Sequence, residues 1–229
     1  MKHYAIAIDG PAGAGKSTLA KTLAERLGAL YVDTGAIYRT IGLYVKRKGV
    51  APRDEQAVLA LLPEVEVGMT FGDDGLQHMI LNGEDVTTEI RLPEMSLYAS
   101  DVSAHAGVRA FLMEMQRKLA RENCVIMDGR DIGTVVLPDA ELKIFLTADV
   151  EERARRRERE LIRRGTPEPF EKVLTEMQQR DYNDSHRAAA PLRQAEDAVL
   201  VDTTALDFAQ SEEALLQIVK EKLGVEPCR

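Results

Sequence analysis

The chain has 229 residues, enough to bury a substantial core, and its 45% hydrophobic and 30% charged content excludes a disordered or fibrous protein. A formal charge of -8 argues against broad binding to nucleic acid or an anionic membrane surface. No apolar run approaches membrane-spanning length, Met1 to His3 lead into a strand without a signal-peptide pattern, and Cys124 and Cys228 form no zinc spacing; a cytoplasmic monomer with reduced thiols is expected.

Tyr4 to Ile8 reads as a buried strand, and Thr18 to Leu27 sets Leu19, Leu23 and Leu27 four apart on one helical face. Between them, Gly10 to Ser17 fits the phosphate-binding pattern G-x-x-x-x-G-K-[ST] in the strand, loop and helix context that the motif requires. The glycines let backbone N–H groups converge on an anion, and the helix N-terminus adds its positive dipole end. Lys16 can bridge β- and γ-phosphates, and Ser17 can ligate magnesium. Gly10, Pro11, Ala12, Gly13, Ala14, Gly15, Lys16, Ser17 and Thr18 are therefore candidate residues for binding a nucleoside triphosphate.

A second strand, Ala29 to Val32, ends at the polar stretch Asp33 to Arg39, and a helix is expected from Ile37 to Lys46. Doubly wound sheets bind ligands at the carboxyl edge of their strands, so Thr34, Tyr38 and Arg39 are candidates for the same crevice. Ala57 to Leu62 reads as a short helix stopped by Pro63. Val65, Val67, Met69 and Phe71 then alternate with smaller or polar residues, a turn is expected at Gly72 to Gly75, and Leu76 to Leu81 reads as the return strand before the tight turn Asn82-Gly83. This antiparallel piece, residues 63–97, reads as an insertion into a core made of residues 1–62 and 98–229.

Val108 to Arg121 is expected to be a helix with Val108, Phe111, Leu112, Met115 and Leu119 on one side and Arg109 off it. Cys124 to Met127 forms a third core strand, running into Asp128-Gly129-Arg130-Asp131 at another strand end. Leu142 to Leu146 is the fourth strand. The arginine-rich helix Val150 to Arg164 follows, with i,i+4 pairs Glu151–Arg155 and Glu152–Arg156, and reads as a mobile cover over residues 150–166. Phe170 to Arg180 is a further helix, and Arg180, Asp184 and Arg187 fall at helical spacing. Val199 to Val201 is the fifth strand, and Ser211 is expected to cap a last helix ending before Gly224.

Five core strands separated by helices imply an α/β fold: a five-stranded parallel sheet with helices on both faces, a small antiparallel insertion and a helical lid. The chain lacks an N-K-x-D tetrapeptide and a D-x-x-G switch stretch, which disfavours a GTPase. His3, His78, His105 and His186 show no ligand or base spacing. A kinase acting on a phosphorylated small molecule suits the arginine clusters, with a non-catalytic ATP-binding regulator as the alternative from another class.

Five blocks together resemble the bacterial cytidylate kinases over nearly the whole chain: Gly10 to Thr18, Asp33 to Arg39, Asn82 to Val86 with Glu89 to Arg91, Asp128 to Val136, and Arg180-Asp181 with Asp184, Arg187 and Pro191-Leu192. Other nucleoside monophosphate kinases share the first block but not the later four at these intervals. The resemblance implies a P-loop kinase core and transfer of a phosphoryl group from ATP to CMP or dCMP with Mg2+; UMP or AMP is the alternative acceptor. It puts Arg39, Arg130 and Arg187 around the CMP phosphate and Arg180 with Asp184 at the sugar hydroxyls, while Ser100, Arg109 and Asp131 read cytosine. Thr34 and Tyr38 would line the same pocket, Thr34 standing where some members carry Ser. Lys16, Arg130 and the lid residues Arg153, Arg156 and Arg157 would be catalytic, with Ser17 on the metal.

Overall fold

Ala5–Asp9 forms β1, and its alternation sets the layering: Ala5 and Ala7 face one core cluster, Ile6 and Ile8 the other. All five residues are buried, as in a strand covered on both faces. The computed structural model describes residues 3–72 and 75–225; Met1 and Lys2, the Asp73-Asp74 tip of the expected turn, Cys228 and the rest of the tail lie outside them.

After the phosphate loop come α1 (Lys16–Leu27), β2 (Leu30–Asp33) and α2 (Thr34–Arg47). The short α3 (Glu55–Leu61) ends ahead of Pro63, as expected, and a single 3-10 turn over Leu62–Glu64, with Pro63 in its opening positions, follows it. An antiparallel sheet of β3 (Val67–Phe71), β4 (Gln77–Leu81) and β5 (Glu84–Asp85) follows, with Asn82 at φ 49 and Gly83 at φ 85 in the tight turn. Then come α4 (Met95–Val102), α5 (Ala106–Glu122), β6 (Val125–Gly129), a π-helical turn over Ile132–Val136, β7 (Leu142–Thr147), α6 (Val150–Arg163), α7 (Phe170–His186), β8 (Val199–Asp202) and α8 (Phe208–Leu223).

The main sheet has five strands in the order β2-β6-β1-β7-β8, all parallel. Connections leave β1 toward β2 on one side and later toward β7 and β8 on the other. The switch point of the sheet therefore lies at the carboxyl ends of β1 and β6, where the phosphate loop and Asp128 to Asp131 emerge. Leu19 and Leu23 of α1 pack with Leu215 and Val219 of α8 on the Ile6 and Ile8 face. On the other face, Ile37 and Ile41 of α2 and Val108 and Leu112 of α5 share one cluster with Met79 and Leu81 of β4. Among the described residues the antiparallel sheet thus shares the core of the main sheet. Met95 belongs to that cluster too, and α4 runs across residue 97, where the insertion is expected to end.

Four local expectations differ from the structure. The helix expected from Ile37 starts three residues earlier: α2 begins at Thr34 because the Asp33 carboxylate caps it, accepting from Ala36 N–H at 2.9 Å. Asp207, not Ser211, caps α8 through a reciprocal box with Gln210, and Ser211 is buried one turn inside. On α5 the sides are exchanged at two positions, Phe111 being exposed and Arg109 buried, because Arg109 finds a carboxylate in the interior. Arg155 stacks over the Phe170 ring at 5.0 Å, whereas Glu152 does pair with Arg156.

Candidate active site

The carboxyl ends of β1, β2 and β6 open into one cleft of about 1310 Å³, walled by α6 and the start of α8 on one side and by β4, α4 and α5 on the other. Gly10 makes the phosphate loop possible: its φ is 150, and a Cβ there would lie 1.9 Å from the Leu146 carbonyl oxygen of the neighbouring strand. Lys16 is buried and donates to the Pro11 carbonyl at 2.7 Å, so its ammonium curls over the loop. Burial and the nearby Arg130 hold that ammonium well below its usual pKa, with Asp128 opposing them.

Ser17 and Asp128 meet at the loop's end. The Ser17 hydroxyl donates to Asp128 Oδ2 at 2.7 Å and the Tyr31 hydroxyl to Oδ1 at 3.1 Å. Burial, reinforced by Asp33, pushes the Asp128 carboxyl up to about 6. Burial likewise raises the Tyr31 phenol, which keeps its proton for that bond. The Thr34 hydroxyl donates to the Asp128 carbonyl at 2.7 Å, tying the start of α2 to β6.

Across the cleft lies a cluster of arginines. Arg109 and Asp131 form a buried ion pair, and Arg187 reaches the other Asp131 oxygen at 3.3 Å. Arg109 also donates to the Ser103 carbonyl at 3.2 Å and lies 5.4 Å from the centre of the Tyr38 ring, while Ser100 lines the wall beside it. Arg130 donates to Asp184 at 2.8 Å and Arg39 to Asp33 at 2.7 Å. Burial alone would raise Asp184, but Arg130 and Arg180 lower it. Burial, then Arg130, pushes Arg180 down to about 10. The Nε atoms of Arg39 and Arg180 are buried without a hydrogen-bond partner.

Of the residues singled out from sequence, Ala12 to Thr18, Thr34, Tyr38, Arg39, Ser100, Arg109, Arg130, Asp131, Arg156, Arg157, Arg180, Asp184 and Arg187 all line this cleft. Gly10 and Pro11 are buried beneath it. Arg153, expected as a lid residue near ATP, is not among the residues that line the cleft. It is buried, donates to the Ala148 and Ala12 carbonyls at 2.8 and 2.9 Å, and pairs with Asp181 at 2.7 Å, bracing the phosphate loop against α6 and α7. Arg156 pairs with Glu152 and donates to the Thr203 carbonyl at 2.7 Å; Arg157 pairs with Glu160 at 2.8 Å. Spacing alone assigns no role to Asp9, Asp33, Gln77 or Asp128. Gln77 clamps the Asp33 backbone, accepting from its N–H at 2.7 Å and donating to its carbonyl at 3.2 Å, and so joins the antiparallel sheet to the rim.

A phosphate loop after the first strand of a parallel sheet, sharing one cleft with an arginine cluster, defines a P-loop kinase. The chain belongs to the cytidylate kinase family, whose model matches residues 6–221. It is 50% identical over 218 residues to the cytidylate kinase of Caldicellulosiruptor bescii, covering 95% of this chain and 96% of that one. It is 49% identical over 226 residues to that of Caldicellulosiruptor saccharolyticus, covering 99% and 100%. Among solved structures, an uncharacterized protein from Eubacterium ventriosum aligns with a TM-score of 0.52 at 12% identity, over 95% of this chain and 99% of that one, a likeness of fold alone.

Proposed function

We propose that this chain transfers the γ-phosphoryl group of ATP to CMP or dCMP, giving ADP and the corresponding diphosphate. The observation that carries the reading is the meeting, in one cleft, of the phosphate loop with its buried Lys16 and an arginine cluster organised around Asp131. ATP binds on the loop from Gly10 to Thr18. The acceptor phosphate is met by Arg39, Arg130 and Arg187, the sugar by Arg180 and Asp184, and cytosine by Ser100, Arg109 and Asp131, with Thr34 and Tyr38 completing the wall. An acceptor phosphate oxygen is already largely deprotonated at neutral pH, so no general base is required. Positioning and charge stabilisation supply the rate.

Mg2+ fits this site: the Ser17 hydroxyl and the Asp128 carboxylate are the oxygens that would hold it. Among the described residues no group of three or more His, Cys, Asp or Glu is placed to hold a metal. When bound it neutralises charge on the β- and γ-phosphates. Arg156 and Arg157 lie close enough to the cleft to reach those phosphates when the lid over residues 150–166 closes, and Arg153 keeps the loop in register with it. The insertion at residues 63–97 closes over the monophosphate from the core formed by residues 1–62 and 98–229. No helix among the described residues is long and apolar enough to cross a membrane. In the proposed reading the protein acts on small molecules, not nucleic acid, as a cytoplasmic monomer.

The test is ADP release measured across CMP, dCMP, UMP and AMP at saturating MgATP. Cytidine monophosphates should be turned over far faster than UMP or AMP. Preference for another monophosphate would replace the acceptor assignment, and ATP binding without turnover on any of them would make the protein a regulator.

A further inference from the structure

Asp131 begins the π-helical turn Ile132–Val136, at φ -148 and ψ 25, and an aspartate there would ordinarily cap its own first N–H groups. It does not. Its carboxylate is turned into the cleft, against Arg109 and Arg187. The cap comes instead from another strand: Asp9 Oδ1 accepts from Ile132 N–H at 2.8 Å and Asp9 Oδ2 from Gly133 N–H at 2.7 Å. The far end of the turn is treated in the same way. Arg117 of α5 donates from Nε to the Val136 carbonyl at 2.9 Å and from Nη2 to the Val135 carbonyl at 3.0 Å.

We infer that Asp9 and Arg117 are positioning residues for base selection, a pair of charged clamps that cap the 132–136 turn from outside and so release the Asp131 carboxylate to face the base. The inference rests on the proposal that Asp131 reads cytosine. The charges match the turn's own dipole, a carboxylate at the N–H end and a guanidinium at the carbonyl end. Asp9 is 5% exposed, so neither freed N–H could turn to water if it were removed. In that event the residue at the cap position is Asp131 itself, which could take over the cap only at the cost of its place in the pocket. Burial pushes the Asp9 carboxyl up to about 6, opposed by the Gly133 and Ile132 bonds, so at neutral pH it is mostly the acceptor-only form that the clamp requires. The turn also has little room to adjust: a Cβ on Gly133 would lie 3.1 Å from Lys143 Cδ and 3.4 Å from Asp9 Oδ2.

The experiment compares Asp9→Asn, Arg117→Gln and Arg117→Lys with Asp131→Ala, measuring kcat and KM for CMP and UMP together with the KM for ATP. In Asp9→Asn and Arg117→Gln the CMP-to-UMP ratio of kcat/KM should fall by at least about fivefold through a raised KM for CMP, the size expected when a cap is lost, with the KM for ATP within about twofold. Arg117→Lys should restore part of the ratio, since an ammonium keeps the charge but not the two-pronged bond. A ratio unchanged in the clamp variants but collapsed in Asp131→Ala overturns the clamp alone. An unchanged ratio in Asp131→Ala overturns the base reading, and the clamp's purpose with it. Equal losses for CMP and UMP would make Asp9 and Arg117 merely structural. Should Asp9→Asn fail to fold, the half-buried Arg117 carries the comparison alone.

Discussion

Replacing Asp131 tests the site through two quantities that its geometry couples. Its side chain is 5% exposed and holds two guanidiniums, Arg109 at 5% and Arg187 at 8% exposure. Removing one partner of a buried ion pair costs about 3 to 5 kcal/mol, because the remaining charge is left uncompensated. Here part of that loss is recovered, since Arg109 keeps the Ser103 carbonyl at 3.2 Å and Arg187 keeps the Ala190 carbonyl at 2.8 Å. Asp131→Ala should therefore destabilise the ligand-free protein by roughly 2 to 3 kcal/mol, read as a lower urea midpoint at unchanged slope.

The same change should act unevenly on the two pyrimidines. Cytosine presents an amino donor that Asp131 can accept and a ring nitrogen that Arg109 can serve; uracil reverses both groups. The CMP-to-UMP ratio of kcat/KM should drop at least roughly tenfold in Asp131→Ala, chiefly by harm to CMP. Asp131→Asn keeps the volume and adds a donor, so it should move the ratio further toward UMP. A shifted urea midpoint with an intact ratio would mean that Asp131 only neutralises its arginines, and an intact midpoint would refute the buried-pair energetics.

Lys16→Ala should lower kcat by about 10² to 10³ while ligand-free stability stays level or rises, because burial and Arg130 already disfavour this ammonium; wild-type turnover would sink the phosphate-loop assignment. Asp9 gives a pH signature: its carboxyl is raised from 3.8 to about 6, so the folded state holds the extra proton in that window. Its contribution to stability is most favourable below pH 4, declines as pH rises toward 6 and is flat above, a total of about 3 kcal/mol. Urea unfolding of Asp9→Asn from pH 4 to 7 should show a shallower decline than wild type, and parallel curves would count against it. Hydrogen exchange over residues 153–165 should slow when a bisubstrate analogue binds, and unchanged protection would argue against a closing lid.

The parts of the fold that the sequence made legible are those encoded locally. The phosphate loop sits between a strand and a helix that each carry their own period, and the Asn82-Gly83 turn needs positive φ at two neighbouring residues. The Asp207 and Gln210 capping box was equally local, and its spacing of three was there to be read in place of Ser211. Arg109 was not legible in the same way. Its burial depends on a carboxylate 22 residues later, so helical periodicity, which assigns a charge to solvent, gives the wrong side. Arg153 fails for the same reason: on an arginine-rich helix it looks like its neighbours, and only Asp181 and the Ala12 carbonyl distinguish it. Nor does the run from Asp128 to Asp131 disclose that its turn is closed from β1 and α5.

Pairing also resolves the apparent conflict between an acidic chain and a site for two phosphorylated substrates. Arg39 is held by Asp33, Arg130 by Asp184, and Arg109 and Arg187 by Asp131, so the ligand-free cleft stores its positive charge against carboxylates at strand and helix ends. In the proposed binding mode an arriving phosphate would compete with Asp33 and Asp184 for guanidiniums that already line the cleft, with little side-chain ordering left to oppose binding. Arg180 differs from the rest. Its Nε, like that of Arg39, has no partner, but here burial with Arg130 also pushes the guanidinium down to about 10, so a new acceptor would relieve both. Ligand binding should therefore be felt first there, between the sugar and the transferring phosphates, where the proposed acceptor and the phosphate loop share one wall.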